Sequence, residues 1–317
     1  MRQNLLAIKS YMSTFALAPA SPKPLGALRI GLALILLWQA FSIGDVMLSL
    51  VASDGLVPQA VMEKLHEARL PNFSGLIELI ASFGVAEKTT LLFLGLLYCL
   101  SLVLLLVGTY TRSATVVAWF LNWAFMNTGY SGTYGADAYT HIFLFYLIWV
   151  PCAGAYSLDA WLGRVSSAPS AAARLGLRVM QLHLCISYLA SGIEKSQSPL
   201  WWNGEIPWAA FNLPSYSLLD LHWMAQVPWL PILLGVGTLV IEAGYCIFIW
   251  HRSTRLLWIM ATCMLHVGIA IFLQLPIFGL LMCVLSITLF GFSAEPTGQS
   301  LFQKSFSFFG RRDPALA

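Results

Sequence analysis

From residue 25 to residue 292 the chain is a near-continuous series of apolar runs separated by short polar turns, and few folds are open to such a chain. Eight runs reach or approach the roughly 20 mostly apolar residues that a helix needs to cross the hydrocarbon layer: 25–44, 89–108, 114–129, 138–152, 176–193, 228–250, 256–275 and 276–292. The third and fourth are short, and the last two touch at Pro276. Only 10% of the residues are charged, against roughly 25% in soluble domains, so this sequence cannot cover a water-facing surface. The expected fold class is all-α: a polytopic membrane helical bundle of about eight transmembrane helices, seven to nine at the limits. We read residues 1–317 as a single transmembrane domain, in which 1–24 form a cytoplasmic N-terminal segment and 293–317 a short cytoplasmic tail.

The placement of the basic residues gives an orientation. With the N-terminus inside, 13 of the 17 Lys and Arg residues fall on cytoplasmic segments. Lys64, Arg69, Lys88 and Lys195 are the four outside. The positive-inside rule therefore puts both termini in the cytoplasm and makes the chain a multi-pass protein of the cell membrane. A formal net charge of +3 excludes a nucleic-acid binder. Arg2 and Lys9 precede a proline-rich segment rather than an apolar core with a cleavage site, so the first long helix is expected to stay as an anchor. The outward segments 45–88, 127–137 and 195–226 are too long or too polar for plain turns. The first holds a turn at Asp54-Gly55 and an amphipathic stretch over 61–70, and the last gathers Trp201, Trp202, Trp208 and Trp223 among prolines.

The six cysteines lie singly in or beside apolar runs, without C-x-x-C or Cys/His spacing, so neither a disulfide framework nor a metal site is expected. Cys152, beside Pro151 at a helix end, is the one that stands apart. Walker, G-x-G-x-x-G, H-E-x-x-H and G-x-S-x-G patterns are also absent.

Ionisable groups inside apolar runs are candidates for function. Glu242 and His266 lie 11 and 13 residues from a turn near Ser253. That places them at nearly equal depth on adjacent helices, where a Glu–His pair would satisfy both. A plain interhelical hydrogen bond that fixes packing is the competing reading. His183 sits in mid-run two residues after Gln181, and a structural hydrogen bond is its simplest role. Asp137 and His141 are four apart and share a helix face, as a helix-end cap with a solvated histidine or as a functional pair. Asn122 and Asn127 read as interhelical hydrogen-bonders. Lys195 closes the run ISYLASGIEK on the outer side. It is either a snorkelling lysine paired with Glu194 or a desolvated amine able to act as a base.

The string YLASGIEK over 188–195, followed by Trp201 or Trp202 and by Gly204, resembles a motif of the vitamin K-dependent γ-carboxylase-like (HTTM) transmembrane family. A second block, with Glu242, Arg255, His266 and Phe278 in order, is similar to that family's acidic residue, basic turn, membrane histidine and later phenylalanine. Gly108–Arg112 followed by YGADAYTHIF and YSLDAW is similar to its middle helices, so the resemblance extends over about residues 25–295. The bacterial branch related to proteins that mature a sporulation-delaying toxin lacks an extra soluble domain. The resemblance is expected to be nearer to that branch, with about 25 residues after Phe292 in the sequence.

What the resemblance implies is a helical bundle whose outward-facing loops form a chamber, and an enzyme in which Lys195 is the base acting on reduced vitamin K or another quinone, with oxygen and carbon dioxide consumed in carboxylating a peptide glutamate. Asp137 and His141 would join Lys195 in catalysis. Trp201, Trp202, Tyr134 and His183 would hold the cofactor, and Glu242, His266 and Asn122 would support the site from behind. Membrane lipid and a secreted peptide are the implied partners, with no metal. The carboxylases have two adjacent lysines where this chain has Glu194-Lys195. Two other classes stay open: a non-catalytic membrane maturation, chaperone or immunity factor for a secreted peptide, and a quinone-linked redox protein.

Overall fold

The computed structural model describes residues 10, 12–44, 46–58, 61, 70–129, 132–214 and 219–292. Among these, the regular structure is helical and the β-pairing is an isolated bridge between Ala20 and Ser170. The helices are α1 Lys23–Ile43, α2 Met47–Val51, α3 Ser74–Ala81, α4 Glu87–Val107, α5 Thr111–Thr128, α6 Gly135–Trp149, α7 Leu158–Trp161, α8 Ala171–Ser196, α9 Pro199–Trp202, α10 Glu205–Asn212, α11 Trp229–Phe248, α12 Arg252–Phe272 and α13 Pro276–Ser286. Each of the eight apolar runs overlaps one of them. Four helices, α1, α4, α11 and α12, are long and apolar enough to cross a membrane. The 26-residue α8 carries Arg174, Arg178, Glu194 and Lys195, and α6 and α13 have only 15 and 11 residues. The amphipathic stretch expected over 61–70 falls almost wholly outside the described residues, as does the tail from 293.

The pattern of burial is that of a chain whose solvent is hydrocarbon. Phe41 is 87% exposed and Met264 73%, whereas Arg29, Glu242 and His266 are buried. A soluble monomer would not display such a density of large apolar side chains.

The chain divides into two compact units. The first, residues 25–168, holds α1 from Leu25 onward to α7. Helix α4 ends at Gly108, whose φ of +74° is the left-handed closing conformation that glycine adopts freely. Its last carbonyls would otherwise be orphaned in an apolar setting. Arg29, fully buried on α1, reaches them, donating to Leu105 O and to Leu106 O at 2.8 Å, and also to Tyr156 O at 2.6 Å. A cation at a helix C-terminus also complements the helix dipole. Helix α5 has no cap of its own. Asp159 of α7 supplies one, accepting from Thr111 N at 3.0 Å, Thr111 Oγ1 at 2.8 Å and Tyr110 N at 3.2 Å. Deeper in the unit, Tyr98 Oη on α4 donates to Asn122 Oδ1 on α5 at 2.9 Å. Asn127 donates to Pro71 O at 2.9 Å.

The second unit comprises residues 169–317 and 1–24. Helix α8 is capped by Ser170, whose side chain accepts from Ala173 N at 3.1 Å. Arg174 donates to Ala18 O at 2.7 Å, and the Arg178 guanidinium lies 4.2 Å from the Phe15 ring and 5.2 Å from Trp250, so the N-terminal segment is held against α8. Helix α13 begins at Pro276, where the missing N–H is harmless. It packs closely on α12 at Gly279, where a Cβ would come within 2.7 Å of the Ala270 side chain.

Candidate functional site

The candidate site grows from one contact between helices in the second unit. At Gly192 on α8 an added Cβ would lie 2.8 Å from the backbone nitrogen of Ala243 on α11. The two backbones therefore touch, a close approach that small residues permit in membrane helices. One turn further along α8 stands Lys195, and one residue before Ala243 stands Glu242. Lys195 Nζ meets Glu242 Oε2 at 2.8 Å and Oε1 at 3.0 Å. It also donates to Ser191 Oγ, four residues back on the same face. The lysine side chain is 25% exposed and the glutamate 8%. Since an ammonium has three donors, these partners account for all of them.

Trp201 completes this end of the site. Pro199 opens the short helix α9. The Trp201 carbonyl then packs on Gly235 of α11, leaving no room there for a side chain. Gly204, at φ +80°, turns the chain into α10. The Trp201 ring centroid comes to 5.5 Å from Lys195 Nζ, within cation–π range. Trp202 faces the other way: it is 50% exposed and its Nε1 donates to Ser196 O at 2.9 Å.

Two turns before Lys195, on the same face of α8, Tyr188 shares a hydrogen bond of 2.8 Å with His266 Nε2 of α12. The Tyr188 ring lies 4.2 Å from that of Tyr245, whose hydroxyl donates to Ser286 Oγ at 3.1 Å. His266 also meets the Phe278 ring edge-on at 5.5 Å. Its Nδ1 is buried without a hydrogen-bond partner among the described residues. The second unit thus gathers Tyr188, Ser191, Lys195, Glu242 and His266 into a polar seam between α8, α11 and α12, with Trp201 of α9 at one end.

Several expectations change here. Glu242 and His266 are both interior, but they are not each other's partners: Glu242 takes Lys195 and His266 takes Tyr188. Equal depth on a hairpin does not fix partners when a third helix offers better ones. Lys195 does not pair with Glu194, which points outward and is exposed. His183 is half-buried and lies 12 residues before Lys195, roughly 18 Å along the helix, so it is no part of this site. Trp202 does not face the lysine.

Tyr134, Asp137 and His141 belong to the first unit. Asp137 Oδ2 accepts from Tyr134 N at 2.9 Å in a capping box at the start of α6, and its Oδ1 accepts from Gln39 Nε2 at 2.6 Å. Asp137 is therefore committed to capping. His141 stacks on Trp119, with centroids 5.2 Å apart and planes 20° apart. All six cysteines are free thiols, and Cys152 is buried with its Sγ near Leu147 O.

Tyr188 and Ser191 lie within the string YLASGIEK, which by itself gives neither a role. Their signal was present in the spacing, since residues four and seven before Lys195 share its helix face. No protein-family profile, curated protein or solved structure matches the chain.

Proposed function

We propose that the chain is a multi-pass protein of the cell membrane that crosses it eight times with both termini cytoplasmic. On this reading it is a γ-carboxylase-like enzyme, in which Lys195 serves as base towards a reduced quinone and a peptide or small substrate is modified. The orientation is supported by the distribution of basic residues. The observation that carries the chemistry is the Lys195–Glu242 pair, with both side chains withdrawn from solvent in an otherwise apolar bundle beside Trp201.

The donor set suits a reduced quinone. Trp201 offers a ring face and Lys195 with Glu242 an amine–carboxylate pair, so these residues would hold it. When bound, such a group supplies the carboxylating chemistry together with oxygen and carbon dioxide. The chain's own part is proton handling. Glu242 accepts a proton from Lys195 across their 2.8 Å contact, Ser191 keeps the amine in place, and the free amine then takes a proton from the ligand. Burial keeps water from competing.

One observation favours a second, non-catalytic reading as a maturation, chaperone or immunity factor for a secreted peptide. All three donors of Lys195 are already engaged by protein groups, as in a purely structural lock.

The test is mass spectrometry of a secreted glutamate-containing peptide co-expressed with the chain or with Lys195→Arg. Arginine keeps the ion pair but cannot give up its proton. The enzyme reading expects a glutamate to gain the mass of carbon dioxide with the parent chain alone. No gain with the parent supports the non-catalytic reading, and equal gain with Lys195→Arg reduces Lys195 to an anchor.

A further inference from the structure

The second unit holds a pair of thiols that the proposed activity does not use, Cys263 on α12 and Cys283 on α13. Other thiols turn to carbonyls nearby in their own chain segment: Cys246 to Ala243 O and Cys152 to Leu147 O, each at 3.5 Å. Cys283 reaches across to the next helix. Its Sγ lies 3.7 Å from the backbone oxygen of Cys263, and the two thiols are within hydrogen-bonding reach of each other. The close packing of α12 on α13 makes this possible. At Gly279 there is no room for a Cβ against His266 O and Ala270. From that crossing, one turn back along α12 and one turn forward along α13 lead to Cys263 and Cys283.

The two sulfurs differ in access. Cys283 is buried, whereas Cys263 is partly exposed. It borders a stripe of α12 formed by Met260, Met264 and Val267, which are 53%, 73% and 40% exposed. That stripe is apolar, so a reagent that meets Cys263 arrives through hydrocarbon. A free cysteine in a core is most simply a small apolar side chain. This pair goes further, because its sulfurs meet between two helices and one of them is open to lipid.

We propose that Cys263 and Cys283 are an oxidation site that closes to a disulfide on meeting a hydroperoxide dissolved in the membrane, such as a peroxidised acyl chain. In the first step the Cys263 sulfur takes the terminal hydroxyl of the hydroperoxide. The O–O bond breaks, an S–O bond forms, and the thiol hydrogen passes to the leaving oxygen, which departs as an alcohol. In the second step the Cys283 sulfur displaces that hydroxyl. The S–S bond forms, and the hydroxyl leaves as water with the hydrogen of Cys283. The two sulfurs together lose two electrons, and the hydroperoxide is reduced to alcohol and water. Side chains meeting across a tight helix crossing suit a bond whose Cβ atoms must come within about 3.5–4.5 Å. The closed bond ties α12 to α13 one turn from His266 and one turn from Ser286, the partners of Tyr188 and Tyr245. The site stands apart from Lys195 and holds whether or not that residue is a base.

The full chain in nanodiscs of a saturated phosphatidylcholine is treated with cumene hydroperoxide, which partitions into the bilayer, or with hydrogen peroxide at equal concentration. Remaining thiols are blocked with N-ethylmaleimide, and the digested protein is read by mass spectrometry. The parent is expected to yield a peptide pair joined through Cys263 and Cys283, lighter by two hydrogens and released by dithiothreitol. It should form several-fold faster with cumene hydroperoxide than with hydrogen peroxide. Cys283→Ser should leave Cys263 as a sulfenic acid that dimedone traps, and Cys263→Ser should leave Cys283 reduced. The absence of that link in the parent overturns the proposal, as does preferential linkage of Cys263 to any other cysteine. Equal or faster linkage with hydrogen peroxide overturns the route through lipid, and dimedone labelling of Cys283 in Cys263→Ser overturns the order of the steps. No outcome depends on carboxylated product, so this result and that of the carboxylation test are read separately.

Discussion

Lys195 and Glu242, 47 residues apart in the chain, form a two-oxygen ion pair at 2.8 and 3.0 Å across the closest crossing of α8 and α11. The pair joins two helices that 32 residues of chain separate, from Gln197 to Pro228. Breaking it from one side leaves a carboxylate with little water to turn to. Lys195→Ala should therefore destabilise the protein by about 3 kcal/mol, whereas replacing both partners, as Lys195→Met with Glu242→Leu, should recover most of that loss. Denaturation in mixed micelles measures both. Additive losses in the double variant would show that the pair contributes nothing as a pair.

Tyr188 and His266 should behave as a second, separate couple. Tyr188→Phe removes one buried hydrogen bond and should cost about 1 kcal/mol. A double-mutant cycle of Tyr188→Phe with His266→Phe should show coupling. Glu242→Gln with His266→Phe should be additive to within about 0.5 kcal/mol. The reverse ranking of the two cycles would restore the Glu–His pairing expected from the hairpin alone.

Asp159 gives a pH signature outside the membrane-spanning helices. Burial works to raise its carboxyl, but hydrogen bonds from Thr111, Tyr110 and Arg164 outweigh this and hold it below the usual 3.8. A carboxyl lowered in the folded state adds stability that is complete above its unfolded value. That stability is lost as pH falls through the lower folded value. The expected loss thus lies below about pH 4. Asp159→Asn should lower stability at neutral pH by about 1–2 kcal/mol, since the α5 cap weakens, and should flatten this acid limb. Thermal melts at a series of pH values decide it, and an unchanged acid limb in Asp159→Asn assigns it to other groups.

The helices themselves were legible in the sequence because hydrocarbon imposes one requirement on every crossing segment: about 20 apolar residues with all backbone groups bonded internally. Candidate polar residues were legible for the same reason, since Glu242, His266 and Lys195 stand out against apolar neighbours. Their partners were not. Partner choice depends on which helix faces which, and that is set by features with weak sequence signals, such as the single glycine at 192. Arg29 shows the same limit. Its charge was visible, yet its role on the last carbonyls of α4 depends on a contact 76 residues away in sequence.

Gly192 makes the last prediction, with Gly237 as its counterpart. Both lie within helices, where replacing glycine by alanine ordinarily stabilises by roughly 0.5–1 kcal/mol through backbone entropy. Gly237 has open space where a Cβ would go, so Gly237→Ala should show that gain. At Gly192 the new methyl would press on the backbone of Ala243 at 2.8 Å, and backbone cannot swing aside as the end of a flexible side chain does. Gly192→Ala should instead destabilise by about 1–3 kcal/mol, the usual range for overpacking. The crossing would open, and Lys195 would separate from Glu242. The Lys195→Ala effect should then shrink when measured in the Gly192→Ala background, because the contact it removes is already weakened. If Gly192→Ala stabilises like Gly237→Ala, or if the Lys195→Ala effect keeps its full size in that background, the ion pair does not depend on the glycine crossing.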